Sequence, residues 1–327
     1  MQVTLGVDGG GTQTRSLLVN EQGTVLGRGL AGSTNIHHID APTLRANLRS
    51  VVEQAFDGVD SASIELAAAC FGLAGLSAAH ARTQANAIIA DLELQPKHGV
   101  SILTDAHIAL TGGLAGAPGM VLLAGTGSAC FGLDADGNVH RTGGWGSIAD
   151  DGGSGGWIGR QAIECAIRQA DGRRSGNALK TEIFKQLNIQ SLDDVVQRLH
   201  GDAIQWNEIA ALCPIVIQLA ASGDADADEI LQRAVEELVD LVRATARKID
   251  LTPIPLVLMG GLIERETYLS RRLTKRIRQA VSEIRIRESS FPPVAGAVFE
   301  AFKMQHDHIP AEFLSSLKAS LQIPRDA

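Results

Sequence analysis

At 327 residues, with 45 % hydrophobic, 20 % charged and only 4 % aromatic side chains, the chain has a globular composition that excludes disorder, and its length predicts two domains. The net charge of −8 argues against nucleic acid or an anionic membrane surface as the main partner, because both need a basic face. An anionic ligand would have to be held by local donors.

Residues 3–7 read as a buried strand that ends at Asp8, ahead of the turn Gly9-Gly10-Gly11-Thr12. Residues 15–20 and 24–29 read as two further strands joined at Glu21-Gln22-Gly23, which makes a meander. A polar loop, Gly32-Ser33-Thr34-Asn35, leads to a helix over 42–56 that buries Leu44, Leu48, Val51, Val52 and Ala55. A strand over 65–71 runs into Gly72-Leu73-Ala74-Gly75, a helix covers 78–92, and a strand over 100–104 stops at Asp105 before another helix. Strands alternating with helices predict an α/β fold with a mostly parallel sheet.

The pattern then repeats. Thr12 laid over Thr126, an offset of 114 residues, also aligns Val7 with Val121, Gly11 with Gly125, Gly23 with Gly137 and Val25 with Val139. A duplicated βββ unit predicts two similar domains with a cleft between their glycine turns. The expected domains are 1–116, completed by a C-terminal helix over about 308–327, and 117–307, which carries a helical insertion. That insertion reads as helical over 157–248, clearest at 225–248, with a strand at 256–259, then Gly260-Gly261, a charged helix, and helices at 294–304 and 311–321. Cys70, Cys130, Cys165 and Cys213 form no CxxC pair and read as reduced packing residues. No basic leader and no run of 18 apolar residues occur, so a cytoplasmic protein is expected.

Consecutive glycines allow positive φ, and the N–H groups of such a turn can point into one anion-binding concavity. Thr12 and Thr126 add hydroxyl donors suited to phosphoryl oxygens. No P-loop motif occurs, and the literal GxGxxG at Gly27, Gly29 and Gly32 follows the third strand of a meander, so it reads as accidental. Asp8 and Asp105 both end strands, where ligands of open α/β sheets bind. Asp105 suits a general base, with an N-cap of the next helix as the alternative, and Asp8 suits a water-mediated Mg²⁺ contact.

DGGGTQT (8–14), Ser33-Thr34-Asn35, Thr104-Asp105-Ala106, AGTGS (124–128), GGWG (143–146), ADDGGSGG (149–156), LMGG (258–261) and Val294-Ala295-Gly296-Ala297 together resemble the BadF/BadG/BcrA/BcrD ATPase family. The likeness is strongest to the N-acetylglucosamine and glucosamine kinases of the actin, hexokinase and Hsp70 superfamily. It implies two ribonuclease H-like domains that close on ATP, Mg²⁺ and an amino sugar, with transfer of the γ-phosphoryl group to the sugar 6-hydroxyl. It also implies a homodimer. By motif, Gly10, Gly11, Thr12, Thr126 and Gly127 would hold the phosphates, and Gly260, Gly261 and Leu262 would lie against the adenosine. Asn35, Asp105, Ser128, Ala129, Gly144, Trp145, Gly146 and Asp151 would line the sugar site.

The family usually reads D-E-G-S where this chain has Asp151-Gly152-Gly153-Ser154, so a glutamate is missing, and Asp150 is the alternative sugar ligand to Asp151. Trp145 reads either as a packing anchor or as a contact to the sugar face. Glucosamine kinase is the alternative within the family, since an ammonium group would favour an added carboxylate such as Asp150. Two other classes fit less well. An ATPase activator of a CoA dehydratase needs cluster-bridging cysteines, and a sugar-sensing regulator needs a DNA-binding head.

Overall fold

The computed structural model describes residues 1–322 apart from 38, 77, 202 and 203. Two units divide the chain, Met1–Ala117 with Ser289–Ala327, and Pro118–Glu288.

The first unit contains β1 (Gln2–Gly9), β2 (Gln13–Asn20), β3 (Val25–Gly32), α1 (Ala41–Phe56), β4 (Glu65–Leu73), α2 (Ala79–Ala90), β5 (Val100–Thr104) and α3 (Asp105–Gly113). The second contains β6 (Gly119–Ala124), β7 (Ser128–Leu133), β8 (Val139–Gly143), α4 (Gly155–Ala170), α5 (Ala178–Gln186), α6 (Leu192–Val196), α7 (Trp206–Ala210), α8 (Cys213–Ala221), α9 (Ala225–Ala246), β9 (Ile254–Met259), α10 (Tyr268–Ala280) and β10 (Ile284–Arg287). The chain then returns to the first unit as α11 (Pro293–Lys303) and α12 (Ala311–Gln322).

Both sheets follow one scheme. The first runs β3-β2-β1-β4-β5 and the second, read from its opposite edge, β8-β7-β6-β9-β10. In each, three antiparallel strands are followed by two parallel ones. Period-two alternation assigns the two faces of the first sheet. Val3, Leu5 and Val7 pack with Leu44, Leu48, Val51 and Ile88 of α1 and α2, whereas Leu17 and Val19 pack with Phe291, Val298 and Phe313 of the returning segment. The core of the second unit joins Met120, Leu122, Cys130 and Leu256 to the apolar faces of α4, α8, α9 and α10.

Glycines set how closely helices approach the first sheet. A Cβ on Gly27 would lie 1.8 Å from Ala55 O, and one on Gly29 would lie 2.1 Å from Val51 O, so α1 rests on bare β3 backbone. That contact explains the GxGxxG string as packing. On the other face a Cβ on Gly6 would meet Val298 N at 2.6 Å, one on Gly112 would meet Pro292 O at 2.7 Å, and one on Gly296 would meet Ile108 O at 1.9 Å. Helix α11 is thereby pressed against both β1 and α3.

Three expectations change. The predicted helical stretch 157–248 divides among the described residues into α4 to α9. The charged segment after Gly261 ends in an unforeseen strand, β10, whose Ile284 and Ile286 face inward while Arg285 and Arg287 are exposed. Residues 289–307, assigned from sequence to the second domain, pack in the first unit because Phe291, Val294 and Phe299 complete the apolar layer over β2. Residues 323–327 of the predicted C-terminal helix lie outside the described residues. All four cysteines are buried, and no single described helix is long and apolar enough to cross a membrane.

Gly296→Ala is expected to cost at least about 2 kcal/mol, because the clashing atoms are backbone and cannot rotate away. Chemical denaturation checks it, with Gly261→Ala, whose Cβ would meet nothing within 4 Å and whose backbone is not left-handed, as the comparison for open space.

Candidate active site

The β1–β2 turn is a tight hairpin tip in which Gly10 N–H donates to Gln13 O at 3.0 Å. Its carbonyls are occupied, since Gly9 O accepts from Ala74 N (2.8 Å) and Gly10 O from Thr34 N (3.2 Å). Gly11 and Thr12 are exposed at the tip. The expectation of positive φ is not met, because none of Gly9, Gly10, Gly11, Gly125 or Gly127 is left-handed. At Gly9 close approach is the reason for glycine instead: a Cβ there would fall 2.2 Å from Thr34 Oγ1 and 2.4 Å from Leu73 Cδ2. Asn35 lies beside the tip, with Nδ2 3.8 Å from where a Gly11 Cβ would be. Its Oδ1 accepts from His37 N at 3.0 Å, and Gly75, at φ +85°, leaves room for that amide.

Asp8 is the penultimate residue of β1, with Arg15 opposite on β2 and Gly72 opposite on β4. Burial, and then the charge of Asp105, push its carboxyl up to about 6 against the opposing pull of Arg15. Asp105 is the first residue of α3, and Thr104 is the N-cap, accepting from His107 N at 3.2 Å. The N-cap alternative for Asp105 therefore fails; its Oδ1 instead accepts from Ala106 N at 2.9 Å. Sequence reasoning missed Glu300, which ties α3 to α11. Burial alone would raise its carboxyl, but His107, Lys303 and the Thr111 hydroxyl at 2.6 Å hold it down at about 2.

In the second unit, Thr126 is exposed at the β6–β7 turn. The first N–H groups of α4 brace that turn, Gly155 N donating to Gly125 O (2.8 Å) and Gly156 N to Thr126 O (3.2 Å). Asp151 is buried in a left-handed conformation, φ +64°. Its Oδ1 accepts from Ser128 N at 3.3 Å and would stand 3.0 Å from a Gly127 Cβ. Desolvation raises the Asp151 carboxyl, with Asp150 adding to the rise and Ser128 N–H and Arg141 opposing it. Ser128, Gly127 and Asp151 thus form one cluster. Gly144 lies against it, since its Cβ would meet Ala129 Cβ at 2.9 Å.

Arg141 holds the loop before Asp151. Its Nε donates to Gly143 O at 2.9 Å, its Nη2 donates to Gly144 O, and its guanidinium stacks 4.1 Å from the ring of Trp145. Trp145 is 67 % exposed, so it anchors no core. Gly146 is left-handed at φ +99° and accepts from Asp150 N at 2.8 Å, which closes the loop. Helix α9 forms the floor: a Cβ on Gly143 would meet Leu241 at 2.6 Å, one on Gly153 would meet Ala234 O at 2.4 Å, and one on Gly152 would meet Glu237 Oε2 at 2.6 Å. A side chain at Gly152 would require the exposed end of Glu237 to swing aside.

Gly260 is held at φ +103°, where a Cβ would strike Ala124 O at 2.4 Å, and Leu262 N donates to that same oxygen at 3.2 Å. Gly261 and Leu262 line a cleft of about 800 Å³ together with Gly125, Thr126, Pro214, Ile217 and Tyr268. Its apolar walls and the bare turn at one end suit a purine nucleotide. Among the described residues no group of three or more His, Cys, Asp or Glu could hold a metal ion. The half-buried Asp8 carboxylate beside Asp105 fits a cation that keeps most of its shell as water and phosphate oxygen, as Mg²⁺ does.

The raised Asp8 carboxyl has a definite sign for stability. Its ionisation costs folding free energy as pH rises from about 4 to about 6, and the cost is constant above that. Asp8→Asn should therefore be more stable than the parent by about 1–3 kcal/mol at pH 7.5, and equal to it below pH 4, in thermal melts across pH. Gly152→Glu should lose at least about 1 kcal/mol, with Gly152→Glu/Glu237→Ala recovering most of it; a double-mutant cycle measures the coupling.

The family model of the BadF/BadG/BcrA/BcrD ATPases matches residues 5–301. The N-acetylmuramic acid/N-acetylglucosamine kinase of Clostridium acetobutylicum is 29 % identical over 305 residues, 92 % of this chain and 98 % of that protein. The N-acetyl-D-glucosamine kinase of Dictyostelium discoideum is 28 % identical over 92 % of this chain and 98 % of its own length. The crystal structure of a Chromobacterium violaceum protein assigned as an N-acetylglucosamine kinase superposes with TM-score 0.71 at 25 % identity, over 93 % of this chain and 99 % of that one. With two five-stranded mixed sheets of one scheme and a family match over nearly its whole length, this chain belongs to the BadF/BadG/BcrA/BcrD ATPase family.

Proposed function

We propose that the protein is an ATP-dependent kinase that phosphorylates N-acetylglucosamine on its 6-hydroxyl, with Asp105 as general base. The observation that carries this reading is the pair Asp8 and Asp105 at the carboxyl ends of β1 and β5, one carboxylate destabilised by burial and by the other's charge. Magnesium nucleotide supplies the phosphoryl group and part of the charge neutralisation. This chain's residues do the rest, which in phosphoryl transfer is positioning and charge stabilisation. Asp105 accepts the hydroxyl proton, the tip residues Gly10, Gly11 and Thr12 with Thr126 and Gly127 bind phosphate oxygens, and Gly260, Gly261 and Leu262 wall the adenosine. Asn35, Ser128, Ala129, Gly144, Trp145, Gly146 and Asp151 orient the sugar, and Asp8 carries the water-mediated metal contact.

The names of the Clostridium and Dictyostelium relatives support N-acetylglucosamine as acceptor. Glucosamine is the second reading, favoured by the Asp150 charge beside Asp151 and by a 27 % identical glucosamine kinase of Vibrio cholerae. An iron–sulfur activator is disfavoured by the cysteines, since burial pushes the Cys130 and Cys213 thiols up to about 12. We further propose action as a cytoplasmic homodimer.

ADP release measured with N-acetylglucosamine, glucosamine, N-acetylmuramic acid, N-acetylmannosamine and glucose should be strongest with N-acetylglucosamine; no stimulation by any sugar would overturn the reading. Asp105→Asn should bind ATP normally and turn over about 10²–10⁴-fold more slowly. Parent-like turnover in that variant would remove Asp105 from the chemistry.

A further inference from the structure

Transfer of a phosphoryl group concentrates negative charge on the three non-bridging oxygens of the moving phosphorus. In the first unit that group would meet two carboxylates, Asp8 and Asp105, so a protein-borne cation beside them would add to the neutralisation that the nucleotide's metal ion supplies. The hairpin tip offers only neutral donors, and the chain lacks the lysine of a P-loop.

We propose, resting on the kinase reading above, that Arg15 is a further catalytic residue whose guanidinium contacts the transferred phosphoryl group. Arg15 is the direct cross-strand partner of Asp8 in the β1–β2 ladder. Side chains of such a pair stand on one face of the sheet with Cβ atoms about 5 Å apart. The face is the one covered by α11 and α3, since Leu17 and Val19, two and four residues further along β2, pack against α11. Arg15 is therefore on the same side as Asp8 and close to the end of β1.

Its surroundings leave the guanidinium accessible, and its charge acts on Asp8. Arg15 is exposed, its Nη2 donates to the side-chain oxygen of Gln13 at 3.1 Å, and it forms no ion pair among the described residues. Three other cations of the unit serve local structure: Arg45 pairs with Asp91, Arg82 donates to Leu76 O, and Lys303 pairs with Glu300. Gln13 pre-orients the guanidinium without neutralising it, which keeps two N–H groups for a bidentate contact.

In the step, the sugar hydroxyl oxygen forms a bond to the γ-phosphorus as the bond from that phosphorus to the β–γ bridging oxygen breaks. The hydroxyl proton goes to Asp105, the bridging oxygen keeps the electron pair, and the products are the sugar 6-phosphate and ADP. Arg15 donates hydrogen bonds to the non-bridging oxygens, which carry more charge in the transition state than in bound ATP, and exchanges no proton. Such a contact acts on kcat more than on binding.

The test begins with the unaltered protein, because absence of sugar-dependent ADP release there defeats the kinase reading itself and with it this proposal. Given activity, Arg15→Gln and Arg15→Ala should lower kcat by on the order of 10²–10³ while leaving sugar KM within about threefold and the melting temperature unchanged. Arg15→Lys should be intermediate, because a point charge replaces part of the fork. Millimolar guanidinium added to Arg15→Ala should restore at least about tenfold of the lost kcat and leave the parent unaffected, a response that a structural arginine would not give. Turnover of Arg15→Ala within threefold of the parent would overturn the proposal. So would a loss that neither Arg15→Lys nor guanidinium relieves, or a loss confined to KM.

Discussion

Contact between helix α11 and bare backbone is the constraint on which the first unit depends. Gly6 on β1, Gly112 on α3 and Gly296 on α11 each face main-chain atoms closer than any Cβ could tolerate. Because α11 touches both β1 and α3 in this way, the end of β1 and the start of α3 are held in one frame, and those are the positions of Asp8 and Asp105. Glu300 reinforces the frame, since its half-buried carboxylate accepts from the Thr111 hydroxyl and faces His107 on α3. Two carboxylates can be kept near each other, at the cost of a raised Asp8, only on such a stiff support.

The second unit solves a comparable problem with a floor instead of a clamp. Ala234, Glu237, Leu238 and Leu241 follow helical spacing along α9 and meet Gly143, Gly152 and Gly153 of the loop above. Asp151, with positive φ and a buried carboxyl, is held over that floor by Ser128 N–H. The loop's own strut is Arg141, which satisfies two loop carbonyls and stacks on the exposed Trp145. Destabilised backbone and a destabilised carboxylate therefore coincide at one residue and are paid for by packing around it.

Much of this was legible in the chain itself, because periodicity and punctuation are local. Alternation marked the strands, Gly23 and Gly137 marked the tight turns at φ +86° and +85°, and the offset of 114 residues marked the repeated scheme. The role of the glycines was not legible. A triple glycine is compatible with positive φ or with close approach; the backbone excludes the first, and Thr34 Oγ1 and Leu73 Cδ2 show the second at Gly9. The edge strand β10 was hidden by its arginines, and the return of residues 289–307 to the first unit depends on packing against Leu17 and Val19 far back in the chain.

The sequence by itself determined the elements, the duplication, the family and the residue types available for phosphoryl chemistry, since each depends on neighbours along the chain. Tertiary structure alone decided which of those residues meet. Glu300 between α3 and α11, and Glu237 beside Gly152, depend on contacts between segments up to 189 residues apart. Such contacts are set by how closely backbones can approach, and no local pattern encodes that distance.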